Sequence, residues 1–145
     1  MRALIQRVKR GSVTIDGQIK SAIGQGLVIL LGVGQEDDRA KADQMIQKIV
    51  QLRIFEDDQG KMNLSLLDIG GEALVVSQFT LYADTRKGNR PSFIYAGAPD
   101  VAKPLVDYFC QGMEARGIKV GTGEFGAYME VEIINDGPVT IWLEF

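Results

Sequence analysis

Three polar side chains among four consecutive residues, Ser77-Gln78-Phe79-Thr80, close the apolar run of "EALVVSQFTLYAD". A strand ending this way brings hydroxyls and an amide to a sheet end, where backbone donors also run out of partners, and such a place suits a small-molecule pocket. The same residues equally fit a strand whose polar side chains face solvent or a neighbouring strand. Thr80 would be a nucleophile only if something took its proton, and the chain contains no histidine. That absence removes the commonest general base, the commonest metal ligand and every Ser-His or Cys-His pair. The acceptor would have to be a lysine, a carboxylate or a group on the substrate.

A second unusual stretch is "NDGPVT", Asn135 to Thr140, lying between two β-patterned runs. Asp-Gly is a good turn pair, so a hairpin turn is the simple reading. Yet proline after glycine interrupts the ladder, and its peptide bond can be cis or trans, the former in about 5–6% of X-Pro bonds. Arg86, Lys87 and Arg90 share the polar loop "TRKGNRPS", either as a solvated charge run or as phosphate contacts, with Lys9 and Arg10 as a second basic pair. "GVGQEDD" lacks the third glycine of a dinucleotide loop and carries three acids, so it reads as a strand-to-helix turn. "EDDQGK" lacks the twelve-residue calcium pattern and reads as a hairpin turn, and Cys110 sits by a helical apolar stripe as a buried, inert thiol.

The elements that must position these residues are mostly strands. "ALIQRV" and "SVTIDGQIKS" are β-patterned, with Asp16-Gly17 marking a hairpin, and "LVILLGV" is apolar on both faces, as a central covered strand should be. Ala42, Met45, Ile46, Ile49 and Val50 form the stripe of a helix that begins behind Asp37 or Asp38 and ends near Leu52. Val101, Leu105, Val106, Phe109 and Met113 mark a second helix, in which Pro104 predicts a late start or a kink. "AYMEVEIIN" and "VTIWLEF" read as alternating strands flanking the Gly-Pro turn. The expected architecture is a single α+β domain over residues 1–145, a curved or barrel-like, mainly antiparallel sheet with two packed helices.

Composition narrows the class of partner. The longest apolar run is far shorter than the ~20 residues of a membrane span, and the charged N-terminus does not read as a signal peptide. With one cysteine and no possible internal disulfide, a cytoplasmic location without membrane association is expected. The net charge of −3 argues against a general nucleic-acid coat while leaving room for a local basic patch.

Taken together, "ALIQRV", "SQFTLYAD", "RPSF" and "NDGPVTIWLEF" closely resemble the D-aminoacyl-tRNA deacylases along the whole chain. The resemblance implies a homodimeric hydrolase without metal or cofactor that removes D-amino acids, and misattached glycine, from tRNA. It implies that Gly137 and Pro138 are joined by a cis bond and enter the partner subunit's pocket, where backbone carbonyls receive the substrate ammonium and exclude an L side chain. Ser77, Gln78, Phe79 and Thr80 would line the pocket for the ester and terminal adenosine, with Phe125 beside it and Arg7 bracing the Gly-Pro loop. Backbone amides near Gln78 and Thr80 would stabilise the oxyanion. Attack by water, helped by the tRNA's own 2′-hydroxyl, fits the missing histidine, while Thr80 as a covalent nucleophile is the competing reading. A binder that hydrolyses nothing and an editing domain acting on L esters are the other classes.

Overall fold

The computed structural model describes residues 1–145. Strand β1 (Arg2–Ile15) turns through Asp16-Gly17 into β2 (Gln18–Ile23), and both turn residues have positive φ, 50° and 76°. Such a primed turn matches the right-handed twist of its strands. β1 is one continuous strand, and it changes partner along its length: residues 2–8 pair with β3 (Gly26–Gly32) and residues 11–15 with β2. At that switch a Cβ on Gly11 would stand 2.8 Å from Val28 Cγ2 and 3.1 Å from the Glu132 carbonyl oxygen. The crossing is therefore close enough to need a residue without a side chain.

Helix α1 (Arg39–Gln51) follows, capped by the Asp38 carboxylate, which accepts from the Lys41 amide at 2.9 Å. β4 (Phe55–Glu56) and β5 (Met62–Leu64) make a small hairpin whose loop is organised by Asp57, the acceptor for the Gln59 and Lys61 amides and the Asn63 side chain. β6 (Glu72–Ser77) runs parallel to β3, and β7 (Lys119–Thr122) parallel to β6. Helix α2 (Pro99–Glu114) lies between them in sequence, and β8 (Glu130–Glu144) pairs with the free edge of β1. The sheet order is β2-β1-β3-β6-β7 with β8 on β1. The Ser21 hydroxyl of β2 donates to the Thr122 carbonyl of β7, so the two ends of this path meet and the sheet nearly closes into a barrel. Its antiparallel pairings are those of β1; β6 and β7 are parallel additions.

Alternation sorts the side chains into two cores. Leu27, Ile29 and Leu31 of β3 and Ala73 and Val75 of β6 pack on the helices, joining Met45, Ile46, Phe109 and Met113. Val28, Leu74 and Val76 point the other way and fill the barrel with Val8, Val13 and Ile23. Burial on both faces is why β3 reads as an unbroken apolar run. No helix is long and apolar enough to cross a membrane.

Three expectations need correction. Helix α2 starts at Pro99, not late: a first-position proline has its φ preset for the helix. Pro104 lies inside, where the bond it cannot donate would go to the exposed Asp100, whose carbonyl water can serve. The strand of "EALVVSQFTLYAD" stops at Ser77, and Phe79–Tyr82 is a 3-10 turn. Most consequentially, Gly137-Pro138 is not a hairpin turn, because both flanking runs belong to β8 and pair in one direction with β1. Two steps along β1, from Gln6 to Val8, are matched by five along β8, from Thr140 to Asn135, so the Gly-Pro segment is looped out of a continuous strand.

Candidate active site

Parallel strands β3 and β6 end side by side, and their last shared rung is the Gln78 amide donating to the Leu31 carbonyl at 2.8 Å. The chain then tightens into the 3-10 turn, with Leu81 donating to the Gln78 carbonyl at 3.2 Å and Ala83 to that of Thr80 at 3.0 Å. The amides of Phe79 and Thr80 precede the first of these bonds and have no partner within the turn. Gln78's own amide is committed to the sheet, so among the expected oxyanion donors it drops out.

A cleft of about 610 Å³ opens over this end, walled by Ser77, Gln78, Phe79, Phe93, Phe125 and Tyr128. Mostly apolar walls with a few polar groups are what small-ligand sites share. Phe79 meets Phe93 edge to face, ring centroids 5.0 Å apart at 73°. Tyr128, at 90% exposure, also lines the cleft. Four predicted residues, Ser77, Gln78, Phe79 and Phe125, thus share one cavity. Thr80 is exposed beside it, its hydroxyl accepting a bond from the Gln78 side-chain amide. No lysine or carboxylate bonds that hydroxyl. A more open depression of about 720 Å³ beside α1, lined by Gln44, Gln47, Lys48 and Arg53 among others, holds none of the predicted residues.

Gly137-Pro138 and Arg7 lie elsewhere. The Gly137-Pro138 bond is cis, and both residues are exposed. Arg7, only 5% exposed, donates from Nε to the Asp136 carbonyl at 2.9 Å and from Nη1 to the Ile54 carbonyl at 2.8 Å, tying the loop to the chain before β4. Asn135, which was not among the expected site residues, closes the base of the loop: its side chain accepts from the Val139 amide at 2.8 Å and donates to the Val139 carbonyl at 3.1 Å. Its signal was present in the quoted motif, since an asparagine can both accept and donate to backbone. Arg7 pairs with Leu27 at the start of β3, whereas the cleft sits beyond the end of that strand at Val33. At about 3.3 Å per residue the loop and the cleft of one chain are roughly 20 Å apart.

The basic loop folds back through Asp84 and Ser92, each donating its amide to the other's carbonyl. Arg86 is spent locally: it grips Asp84 at 2.6 and 2.8 Å and reaches the Tyr95 hydroxyl at 3.2 Å, holding the Asp84 carboxyl down to about 2. Lys87 and Arg90 remain exposed and form no ion pair. Lys9 and Arg10 are exposed on β1, and Arg10 is paired with Glu132 at 3.2 Å. Cys110 is buried against α1 and the sheet; burial foremost, then the nearby Asp107 carboxylate, pushes its thiol up to about 12. No group of three or more cysteine, aspartate or glutamate side chains is gathered as a metal site would need.

Comparison with known proteins matches this arrangement to one family. The sequence pattern of the D-Tyr-tRNA(Tyr) deacylases fits residues 4–144. The chain is 61% identical to a D-aminoacyl-tRNA deacylase of Thermomicrobium roseum over 99% of its own length and 94% of that protein's. It is 60% identical to one of Roseiflexus castenholzii, over 99% and 92%. Among solved structures it is similar to the c-Myc DNA Unwinding Element Binding Protein, with a TM-score of 0.94 at 44% identity, covering 100% of this chain and 99% of that one. A probable eukaryotic D-amino acid tRNA deacylase shares the fold at a TM-score of 0.85 and 18% identity, over 98% and 97% of the two chains. From strand pattern to paired motifs, then, the chain belongs to the D-Tyr-tRNA(Tyr) deacylase family.

Proposed function

We propose that the protein hydrolyses the ester of D-aminoacyl-tRNA and of glycyl-tRNA, as a homodimer in which each cleft is completed by the Gly137-Pro138 loop of the other subunit. The observation that carries this reading is the separation of the two motifs. The exposed Gly137-Pro138 loop leaves β8 beside the start of β3 while the cleft opens past the end of β3, roughly 20 Å away, so one chain does not bring them to the same substrate. A second copy related by a two-fold axis supplies each cleft with the missing loop, because an isologous contact repeats itself. The loop offers a glycine and a proline, without a polar side chain or a proline donor, so its carbonyls are the recognition groups and an L side chain meets backbone.

In the cleft, the apolar walls hold the terminal adenosine and the Phe79 and Thr80 amides face the ester oxygen. Water adds to the carbonyl carbon, the bond to the ribose oxygen breaks, and the proton released by water ends on that oxygen. The substrate's 2′-hydroxyl assists this transfer, since Thr80 has only the Gln78 amide for a partner. The chain thus acts by position and electrostatics.

The test follows the ester bonds of D-tyrosyl-, glycyl- and L-tyrosyl-tRNA with catalytic amounts of protein. Loss of the first two with the third intact is expected. Survival of all three would leave a binder, and loss of the L ester would remove the chiral filter.

Lys87 and Arg90 serve as phosphate contacts for the incoming tRNA. Replacing both with alanine should raise KM for every aminoacyl-tRNA alike, leave kcat near its original value, and flatten the salt dependence of binding by roughly 0.7–0.9 log units per lost contact. An unchanged salt slope would return these residues to the role of a solvated loop.

A further inference from the structure

Arg2 has no part in the chemistry described so far, yet its side chain is engaged on several sides. Its Nη1 donates to the Leu81 carbonyl at 3.0 Å and its Nε to Glu144 at 2.8 Å. Its guanidinium lies over the Tyr82 ring, 4.3 Å from the centroid, and 5.8 Å from that of Trp142. Leu81 and Tyr82 are the last two residues of the 3-10 turn whose first two are Phe79 and Thr80. A four-residue turn has too few internal bonds to hold itself, so its geometry depends on what grips its far end.

Tyr82 is fixed from the other side as well. Its hydroxyl donates to Asp37 Oδ2 at 3.1 Å, and the same carboxylate accepts from the Gly34 amide at 2.6 Å and from Lys41 at 3.1 Å. Burial, and then the Asp37 carboxylate, push the Tyr82 phenol well above its ordinary value, so it stays a donor. A Cβ on Gly34 would come within 2.7 Å of the Tyr82 hydroxyl oxygen, which shows how closely the ring is seated.

We propose that Arg2 is a positioning residue for deacylation: from beneath the cleft it clamps the Leu81-Tyr82 end of the turn, and so sets where the Gln78, Phe79 and Thr80 groups stand relative to the ester. The proposal rests on the reading of that turn as the active site. A cation that lies over one aromatic ring, reaches a second and bonds a carbonyl at once needs a planar, multivalent donor, which lysine supplies only in part.

The experiment compares Arg2→Ala and Arg2→Lys by steady-state kinetics on D-tyrosyl-tRNA, with thermal unfolding of each. Arg2→Ala is expected to lower kcat by about 10- to 100-fold with KM within about threefold, because displacement of positioned groups by about 1 Å costs on that scale. Arg2→Lys should recover part of kcat. Lys103→Ala, which removes an exposed ion pair with Asp107 on α2, should leave kcat unchanged. A folded Arg2→Ala protein with full kcat, or a loss that appears only in KM or in the melting temperature, would overturn the proposal. Gln78→Ala in the same assay separates the two failures: full activity there would remove the active-site reading itself, while its loss beside an active Arg2→Ala would refute only the clamp.

Discussion

A D-tyrosyl-tRNA ending in 2′-deoxyadenosine is expected to be deacylated about 10²- to 10⁴-fold more slowly than the natural substrate, the range that a positioned acid–base group contributes. The reason lies in what surrounds the ester. The cleft is lined mostly by apolar side chains, with Ser77, Gln78 and Tyr128 as polar ones, and the hydroxyl that the Gln78 side chain bonds is that of Thr80, which no lysine or carboxylate contacts. The chain has no histidine, and the proposed route passes water's proton through the hydroxyl that the substrate brings. Thr80→Val supplies the converse arm. It removes the hydroxyl and keeps the backbone amide, so kcat should fall by less than about tenfold, the scale of one hydrogen bond to a neutral partner. Normal turnover of the deoxy substrate together with an inactive Thr80→Val would reverse the assignment and make Thr80 the nucleophile.

Local signals in the sequence carried far. Asp16-Gly17, the Asp38 cap, the apolar stripes of both helices and the two-faced apolar run of β3 each depend on neighbours a few residues away, and all are present in the structure. The cleft was legible in outline, because Ser77, Gln78, Phe79 and Phe125 do converge. What failed depended on pairing. Whether "EIIN" and "VTIW" face each other or both face β1 is decided by a strand 120 or more positions away, and no local pattern encodes that. The end of β6 was misread for a similar reason: Gln78 keeps its rung with Leu31, but no strand remains to hold Thr80, so the chain coils there. Phe93, Tyr128 and Asn135 sit in loops or at a strand interruption, where periodicity is silent, and only the folded chain brings the first two to the cleft.

Gly137→Ala should abolish selective deacylation while sparing the fold. Gly137 has φ of +142°, where side chains are strongly disfavoured. An added Cβ would stand 2.8 Å from Val139 Cγ2, 3.0 Å from the Val139 nitrogen and 3.2 Å from Arg7 Nη2. Those neighbours are the groups that define the loop, since the Val139 amide is held by Asn135 and Arg7 holds the Asp136 carbonyl. The methyl therefore moves the loop carbonyls proposed to recognise the substrate, whereas β8 on either side stays paired with β1. A fall of about 10²-fold in kcat/KM for D-tyrosyl-tRNA is expected, with a melting temperature within a few degrees of the original. Mixing subunits then asks whose cleft the loop serves. A Gly137→Ala subunit keeps an intact cleft and a Gln78→Ala subunit keeps an intact loop, so their heterodimer contains one complete site if the loop acts across the interface. Refolding the two impaired proteins together should restore about a quarter of the original activity, because half of the dimers formed are mixed and each has one of two sites intact. If the loop served its own chain's cleft, every site in the mixture would carry a defect and the activity would not return.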